Sequence, residues 1–309
     1  MTAARPDGSS GILLVDKPER LTSHDVVDAA RHLLDTRRIG HTGTLDPAAT
    51  GLLVLCVARA VRLQSFLTGV DKSYEGELRF GVATDTYDRD GVPVGTPHPD
   101  PSPSLDAVRN AAAAYTGEFL QTPPPFSAKK VAGKKLYELA RRGESVAIEP
   151  KKVRVSELTI RDVSGDRALF GVTCSSGTYV RSLVHEIGRD LGLGAHLVAL
   201  RRTAVGPFRI ADAVTLPALE DLPVGERTRP PHWVPLSSVP LPFPAVPIAP
   251  AELAKVRHGH AIPVRLPADA SGAEWVRLVS ADELVALGQV EPLGRGILAL
   301  ARPKIVLVD

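Results

Sequence analysis

Apolar positions along the 309-residue chain change period several times, and each change marks an element. Gly11–Val15 is an unbroken apolar run, the mark of a short buried strand, and it ends at Asp16-Lys17-Pro18. Behind a cap at Thr22 or Ser23, Val26, Val27, Ala30, Leu33 and Leu34 recur at helical spacing. Leu52–Val57 is six consecutive apolar residues, which predicts a strand buried on both faces. Tyr74–Val82 alternates instead: Tyr74, Gly76, Leu78, Phe80 and Val82 share one face, and Glu75, Glu77 and Arg79 the other. Ser104 starts a helix through Tyr115 that stops at Gly117, and a short helix is expected around Leu136 to Arg142, ended by Gly143. Val153–Val163 and Ala168–Cys174 predict two more strands. After the turn at Ser175-Ser176-Gly177, a helix follows with Val180, Leu183, Val184, Ile187 and Leu191 on one face and Gly192 as its stop.

Proline then changes the picture. Residues 221–250 hold nine prolines in thirty positions, which predicts a surface linker without regular helix or sheet. Beyond it, Glu252–Arg257 reads as helix, and Trp275–Val279, Leu284–Leu287, Ile297–Leu300 and Ile305–Val308 read as β-type runs. The chain thus divides into a larger N-terminal part (1–220), a linker (221–250) and a small β-rich part (251–309).

Composition narrows the class. Hydrophobic content of 44% with 23% charged residues is that of a globular protein with a sizeable core. No apolar run reaches membrane-span length and the N-terminus is polar, so no membrane association and a cytoplasmic location are expected. The two cysteines, Cys56 and Cys174, lie in apolar runs, and the nine histidines show no HExxH spacing. No disulfide scaffold and no metal site are expected. The net charge of +2 conceals an asymmetry: residues 211–309 carry −2 and residues 1–210 about +4. Lys129 to Arg154 alone carries about +6, a local basic stretch suited to a polyanion touched in one place.

The candidate chemistry gathers at Gly40-His41-Thr42-Gly43-Thr44-Leu45-Asp46-Pro47-Ala48-Ala49-Thr50-Gly51. Asp46-Pro47 has two readings. It can cap a short helix, since aspartate suits the cap and proline the first helical position. It can also present a reactive carboxylate, because proline keeps the preceding backbone extended. A phosphate-loop reading lacks the Gly-Lys-Ser/Thr ending. Tyr74 stands at the start of the core-facing row of its strand, where an ordinary core tyrosine is the plainer reading. Arg181 sits in the first turn of its helix, where the dipole disfavours a cation; a specific anion partner or simple exposure accounts for that.

Taken together, Asp16-Lys17-Pro18, the Gly40–Gly51 block, Lys72-Ser73-Tyr74, Gln121-Thr-Pro-Pro-Pro-Phe-Ser-Ala-Lys129, Gly133–Tyr137, Ser176–Arg181 and Leu200-Arg201-Arg202-Thr203 resemble, in order and spacing, the TruB family of bacterial tRNA pseudouridine synthases. The resemblance spans about residues 11–208; the tail is similar to a PUA-like domain by position and strand content alone. It implies an α+β fold, a mixed and mostly antiparallel sheet flanked by helices. It implies a tRNA partner, through the T-stem loop, whose uridine at position 55 is isomerised without cofactor, metal or redox step. Asp46 is then the catalytic aspartate, with Arg181 as its cation and Tyr74 as the ring on which uracil stacks. Tyr179 and Leu200 shape the pocket, and His41 fills the space left by the flipped base. Lys17 and the basic insertion at 121–152, including Lys129, Lys130 and Lys134, bind the RNA. Nothing demands more than a monomer. Two rival functions share the scaffold: an RNA-guided enzyme acting on ribosomal RNA, and a non-catalytic RNA-binding or tRNA-folding module.

Overall fold

The computed structural model describes residues 10–126, 130–131, 134–135, 149–227, 229–270, 272–293 and 296–308. Among these, eleven strands form the N-terminal sheet, and its longer or site-bearing members are β1 (Gly11–Lys17), β2 (Ile39–His41), β3 (Thr50–Val57), β4 (Lys72–Phe80), β5 (Gly117–Gln121), β6 (Lys151–Ser164), β7 (Arg167–Cys174) and β8 (Ala195–Val205). The order across the sheet is β1-β3-β8-β4-β7-β6-β5, with Val214–Thr215 outside β1 and β2 on β3. All these neighbours are antiparallel except β3 with β8 and β1 with Val214–Thr215. The expected α+β class, with a mixed and mostly antiparallel sheet, is the architecture found.

Three helices cover the sheet: α1 (Ser23–Leu33), α2 (Leu105–Ala113) and α3 (Val180–Asp190). Thr22 is the cap of α1: its hydroxyl accepts from Asp25 N–H at 3.1 Å, while the Asp25 carboxylate accepts from Thr22 N–H at 2.7 Å. This reciprocal pair satisfies two otherwise orphaned donors. Ser104 caps α2 as expected. Tyr179 is the cap residue of α3, and its side chain makes no capping bond.

The apolar run of β3 is explained by two covers. Leu53, Leu55 and Val57 face α1 and pack with Leu13, Val15, Val26, Val27 and Ala30. Leu52, Val54 and Cys56 face the other way, with Ile12 and Leu14, and meet Leu284, Leu287 and Leu307 of the C-terminal part. The second half of the sheet has one cover only. Tyr74, Leu78 and Phe80 turn inward with Phe170 and Val172 against α2 and α3. On the outer face, Glu75 pairs with Arg161, Glu77 with Arg167 and Arg79 with Asp166. These ion pairs are half-exposed and contribute little to stability.

The C-terminal part is a five-stranded sheet, ordered β9-β11-β12-β13-β10: β9 (Ala245–Pro247), β10 (Ile262–Arg265), β11 (Trp275–Ser280), β12 (Glu283–Pro292) and β13 (Leu298–Val306). Several sequence expectations change here. The runs Ile297–Leu300 and Ile305–Val308 are one strand, β13, whose pairing with β12 shifts register between Leu287 and Gly288. The strand expected at Tyr74–Val82 ends at Phe80, ahead of Gly81 at φ +104°. The Pro-rich stretch does form sheet: Val234–Pro235 joins the edge of β1, and Ala245–Pro247 joins β11. Proline is tolerated at such margins because its missing N–H is not needed there. The helix expected around Leu136 to Arg142 lies outside the described residues.

The two sheets share a core. Phe66 meets Phe243 and Trp275 edge-on, with ring centroids 5.3 and 5.5 Å apart, and Arg59 donates to Leu307 O at 2.9 Å. Leu287 is fully buried in this shared cluster. Leu287→Ala is therefore expected to lower stability by about 2–5 kcal/mol. Urea unfolding followed by far-UV circular dichroism and by tryptophan fluorescence should give coincident, earlier transitions. A change confined to the fluorescence of the C-terminal part would show that the two sheets unfold independently.

Candidate active site

Asp46 lies on the loop between β2 and β3, and this loop is a turn. Ala49 N–H donates to Asp46 O at 3.0 Å, and no helix follows, so the helix-cap reading of Asp46-Pro47 does not hold. The loop has almost no sheet bonds of its own, and side chains and neighbouring segments hold several of its backbone groups. Thr42 N–H donates to Val54 O at 3.1 Å. The Ser23 hydroxyl accepts from Leu45 N–H at 2.8 Å and donates to Leu45 O at 3.1 Å. Arg20 N–H donates to Pro47 O at 2.9 Å.

Two buried cations complete this hold. Lys17 is fully buried, and its ammonium donates to Pro18 O at 2.8 Å, Leu21 O at 2.7 Å and Pro47 O at 3.3 Å. Burial pushes this lysine down to about 8, against the opposing pull of Asp46. The expectation that Lys17 contacts substrate is corrected here: its three donors are taken by backbone, behind the loop. On the other side Arg202, from β8, donates to Gly43 O, Thr44 O and Leu52 O. Gly51 has φ +102°, and a Cβ there would stand 2.3 Å from Arg202 O. Only glycine lets β3 and β8 close to that distance.

The Asp46 carboxylate forms an ion pair with Arg181, with Nε and Asp46 Oδ2 3.0 Å apart. The arginine side chain is 7% exposed and the aspartate 46%. The cation is thus enclosed while the carboxylate is open. Arg181 has three further acceptors: Thr86 O at 2.9 Å, Asp88 Oδ2 at 3.1 Å and Phe126 O at 3.2 Å. This accounts for an arginine at the N-terminal end of α3, where the dipole disfavours it. Asp88 escaped the sequence reading. It lies in the polar turn Thr84–Gly91 with Asp85 and Asp90, and nothing in residue type or spacing separates the three. Tyr87, beside it, has φ +65° and stacks on His185 of α3 at 3.8 Å between ring centroids.

Asp46, Tyr74, Tyr179, Arg181 and Leu200 line one cleft of about 430 Å3, together with Lys72, Lys151 and Arg202. Burial pushes the Tyr74 phenol up, while the charge of the neighbouring Arg202 guanidinium pulls it back. The Tyr179 backbone is held from both sides by Gln121, which accepts from its N–H at 2.8 Å and donates to its carbonyl at 3.1 Å. His41 stands just outside, two residues before the cleft-lining Gly43, whose N–H its Nδ1 accepts at 3.3 Å. Burial lowers the His41 pKa, so the ring is neutral at physiological pH. Lys130 and Lys134 lie on a two-stranded hairpin, Lys130–Val131 with Lys134–Lys135, and Lys129 lies outside the described residues. Among the described residues no group of three or more His, Cys, Asp or Glu side chains is placed to hold a metal ion.

Two tyrosines, an open carboxylate and cations around one cleft suit a planar heterocycle carried on a phosphate chain, as in proteins that act on nucleic-acid bases. Comparison with known proteins gives the family. The sequence model for the TruB family pseudouridylate synthase N-terminal domain matches residues 31–180, and that for the tRNA pseudouridylate synthase B C-terminal domain matches residues 181–234. The tRNA pseudouridine synthase B of Solibacter usitatus (strain Ellin6076) is 43% identical over 91% of this chain and 95% of its own length. That of Dechloromonas aromatica (strain RCB) is 40% identical over 97% and 96%. Among solved structures, an archaeal box H/ACA sRNP Nop10-Cbf5 complex matches 97% of this chain and 87% of that one, with TM-score 0.71 and 26% identity. A Cbf5-Nop10-Gar1 complex matches 97% and 86%, with TM-score 0.73 and 26% identity. The chain belongs to the TruB family of pseudouridine synthases, isomerases that convert uridine in RNA to pseudouridine.

Buried cations leave a pH signature. Lys72 donates to Thr68 O and Val70 O, and burial pushes it down to about 8. An unfolded lysine titrates near about 10.4. Between those values the unfolded chain holds a proton that the native state has lost, so stability rises with pH there. The slope is up to about 1.4 kcal/mol per pH unit for each such lysine. Lys72→Met is expected to flatten the rise between pH 8 and 10 in urea melts; slopes matching the parent protein would mean that Lys72 titrates normally.

Proposed function

We propose that this protein converts the T-loop uridine at position 55 of tRNA to pseudouridine, unaided by guide RNA, as a cytoplasmic monomer. The observation that carries this reading is the half-exposed Asp46 carboxylate, held by an enclosed arginine beside the Tyr74 ring in a cation-lined cleft. In the reaction the N1–C1′ bond breaks, the base turns, a C5–C1′ bond forms, and a proton leaves C5 while N1 gains one. Asp46 is the group open to the sugar or the base. Arg181 sets its orientation, which is the use a buried ion pair serves better than stability. Tyr74 and Leu200 receive the uracil, and Tyr179 closes the cleft at the start of α3.

The uridine must leave the folded T loop to reach Asp46, at a cost of a few kcal/mol. His41, neutral and at the rim, is suited to stack into the space vacated. Lys129, Lys130 and Lys134 would hold phosphates without reading sequence. Residues 1–220 would carry catalysis, with 221–250 leading to the PUA-like 251–309.

The decisive measurement uses purified protein and unmodified tRNA transcript, with pseudouridine mapped by carbodiimide-stop sequencing. One modified site in the T loop is expected; a product elsewhere, or none, overturns the reading. Asp46→Asn should abolish product while binding survives. Arg181 keeps Asp88, Thr86 O and Phe126 O in that variant, so no unpaired guanidinium is left to unfold the site. Neutralising Lys129, Lys130, Lys134 and Lys135 together should weaken binding and reduce the slope of affinity against salt by roughly 0.7 to 0.9 for each phosphate that is no longer neutralised. An unchanged slope would place the RNA elsewhere.

A further inference from the structure

Arg202 is 1% exposed, among the largest fully buried side chains of the described residues, and no carboxylate there forms an ion pair with it. A buried cation without a counter-charge is an unfavourable way to hold a strand together, and an apolar side chain would pack there at less cost. What it touches explains its presence. Nε donates to Leu52 O at 2.7 Å, Nη2 to Gly43 O at 3.0 Å and Nη1 to Thr44 O at 3.3 Å. All three acceptors lie on the Asp46 loop or the strand it enters, and two are within three residues of Asp46. On the ladder, Arg202 is opposite Gly51 of β3 on one side and opposite Tyr74 of β4 on the other. A register shift between Arg202 and Ala204 marks the same place. Its guanidinium and the Tyr74 ring line the same cleft.

We propose that Arg202 is a positioning residue for the isomerisation, holding the Asp46 loop and the Tyr74 ring in one fixed relation. This rests on the reading of Asp46 as the reacting carboxylate. The carboxylate stands on the loop into β3 and the ring on β4, two strands that do not pair: β8 lies between them, and Arg202, opposite Tyr74 on the ladder, donates to the Asp46 loop. A planar guanidinium directs separate N–H groups at carbonyls in different directions while keeping its charge near the phenol. An ammonium is a point donor on a flexible stem and cannot reproduce that spread. Small misplacements at this distance from the chemistry cost about a hundredfold in rate.

The test uses the full chain with Arg202→Lys and Arg202→Met, and 3-fluorotyrosine placed at position 74. Three quantities are read: tRNA affinity, the single-turnover rate with saturating enzyme, and the 19F titration midpoint of residue 74 in the free protein. Affinity should stay within about threefold for both variants, while the rate falls at least about tenfold for Arg202→Lys and about a hundredfold for Arg202→Met. The fluorotyrosine midpoint should rise in Arg202→Met, because the cation that stabilises the phenolate is gone. A folded variant of either kind with a near-parental rate overturns the proposal, as does a loss expressed entirely in affinity or an unmoved 19F midpoint. Should Arg202→Met fail to fold, Arg202→Lys decides by its own rate. The 19F readout needs no turnover: a parent protein without product counts against the T-loop reading, and a static midpoint counts against Arg202.

Discussion

The site depends on the requirement that a buried guanidinium satisfy its donors. Arg181 is nearly enclosed, and an enclosed arginine left unpaired would cost several kcal/mol. Its acceptors come from the Asp46 loop, the Thr84–Gly91 turn and the segment after β5. The Thr84–Gly91 turn is also bridged to β8 at Leu197, and Gln121 and Thr122 are hydrogen-bonded to the start of α3. The ion pair ties the Asp46 loop to these docked segments, with the aspartate on the solvent side. Asp88 matters to this arrangement because it gives Arg181 a second carboxylate besides Asp46.

Around that pair the backbone is held with unusual thoroughness. Lys17 and Arg202 approach the Asp46 loop from opposite sides, and Ser23 ties it from α1. The cations are matched to carbonyl dipoles, so their charge stays uncancelled near Asp46. With Asp46 as the reacting carboxylate proposed above, a fixed set of cations and dipoles around it would be electrostatic preorganisation, which lowers a barrier without reorganisation during the reaction. The buried lysines near pH 8 are the cost of that arrangement, expressed as native cations that burial disfavours.

The C-terminal sheet answers the same demand for burial. β3 is apolar on both faces, and α1 covers only one; Leu284, Leu287 and Leu307 cover the other. The strand that receives the Asp46 loop is thus central in three dimensions because a sheet far along the chain packs on it. Rigidity at the loop's exit follows from that second cover. The same architecture recurs in the Cbf5 complexes, which share about a quarter of the residues with this chain.

Much of this was legible in residue order. The period-2 row of Tyr74 to Phe80, the helical stripes of α1 and α3, the Thr22 and Ser104 caps and the Gly40–Gly51 motif are local patterns. Local sterics and hydrogen bonding decide them, so they can be read without a partner. Arg181 stood out because its place opposed the helix dipole. Other features were decided by contacts between distant segments. Asp88 looked like its neighbours Asp85 and Asp90 until Arg181 selected it, and Lys17 looked available for RNA until the fold closed over it. Arg202, beside the exposed ion pair of Arg201 with Asp16, differs from it only in the face of β8 it occupies. The sequence by itself determined the elements and the motif residues, because those follow from spacing along one chain. Tertiary structure alone decided which charges are buried and what they hold, because burial and pairing depend on strands and loops brought together from opposite ends of the sequence.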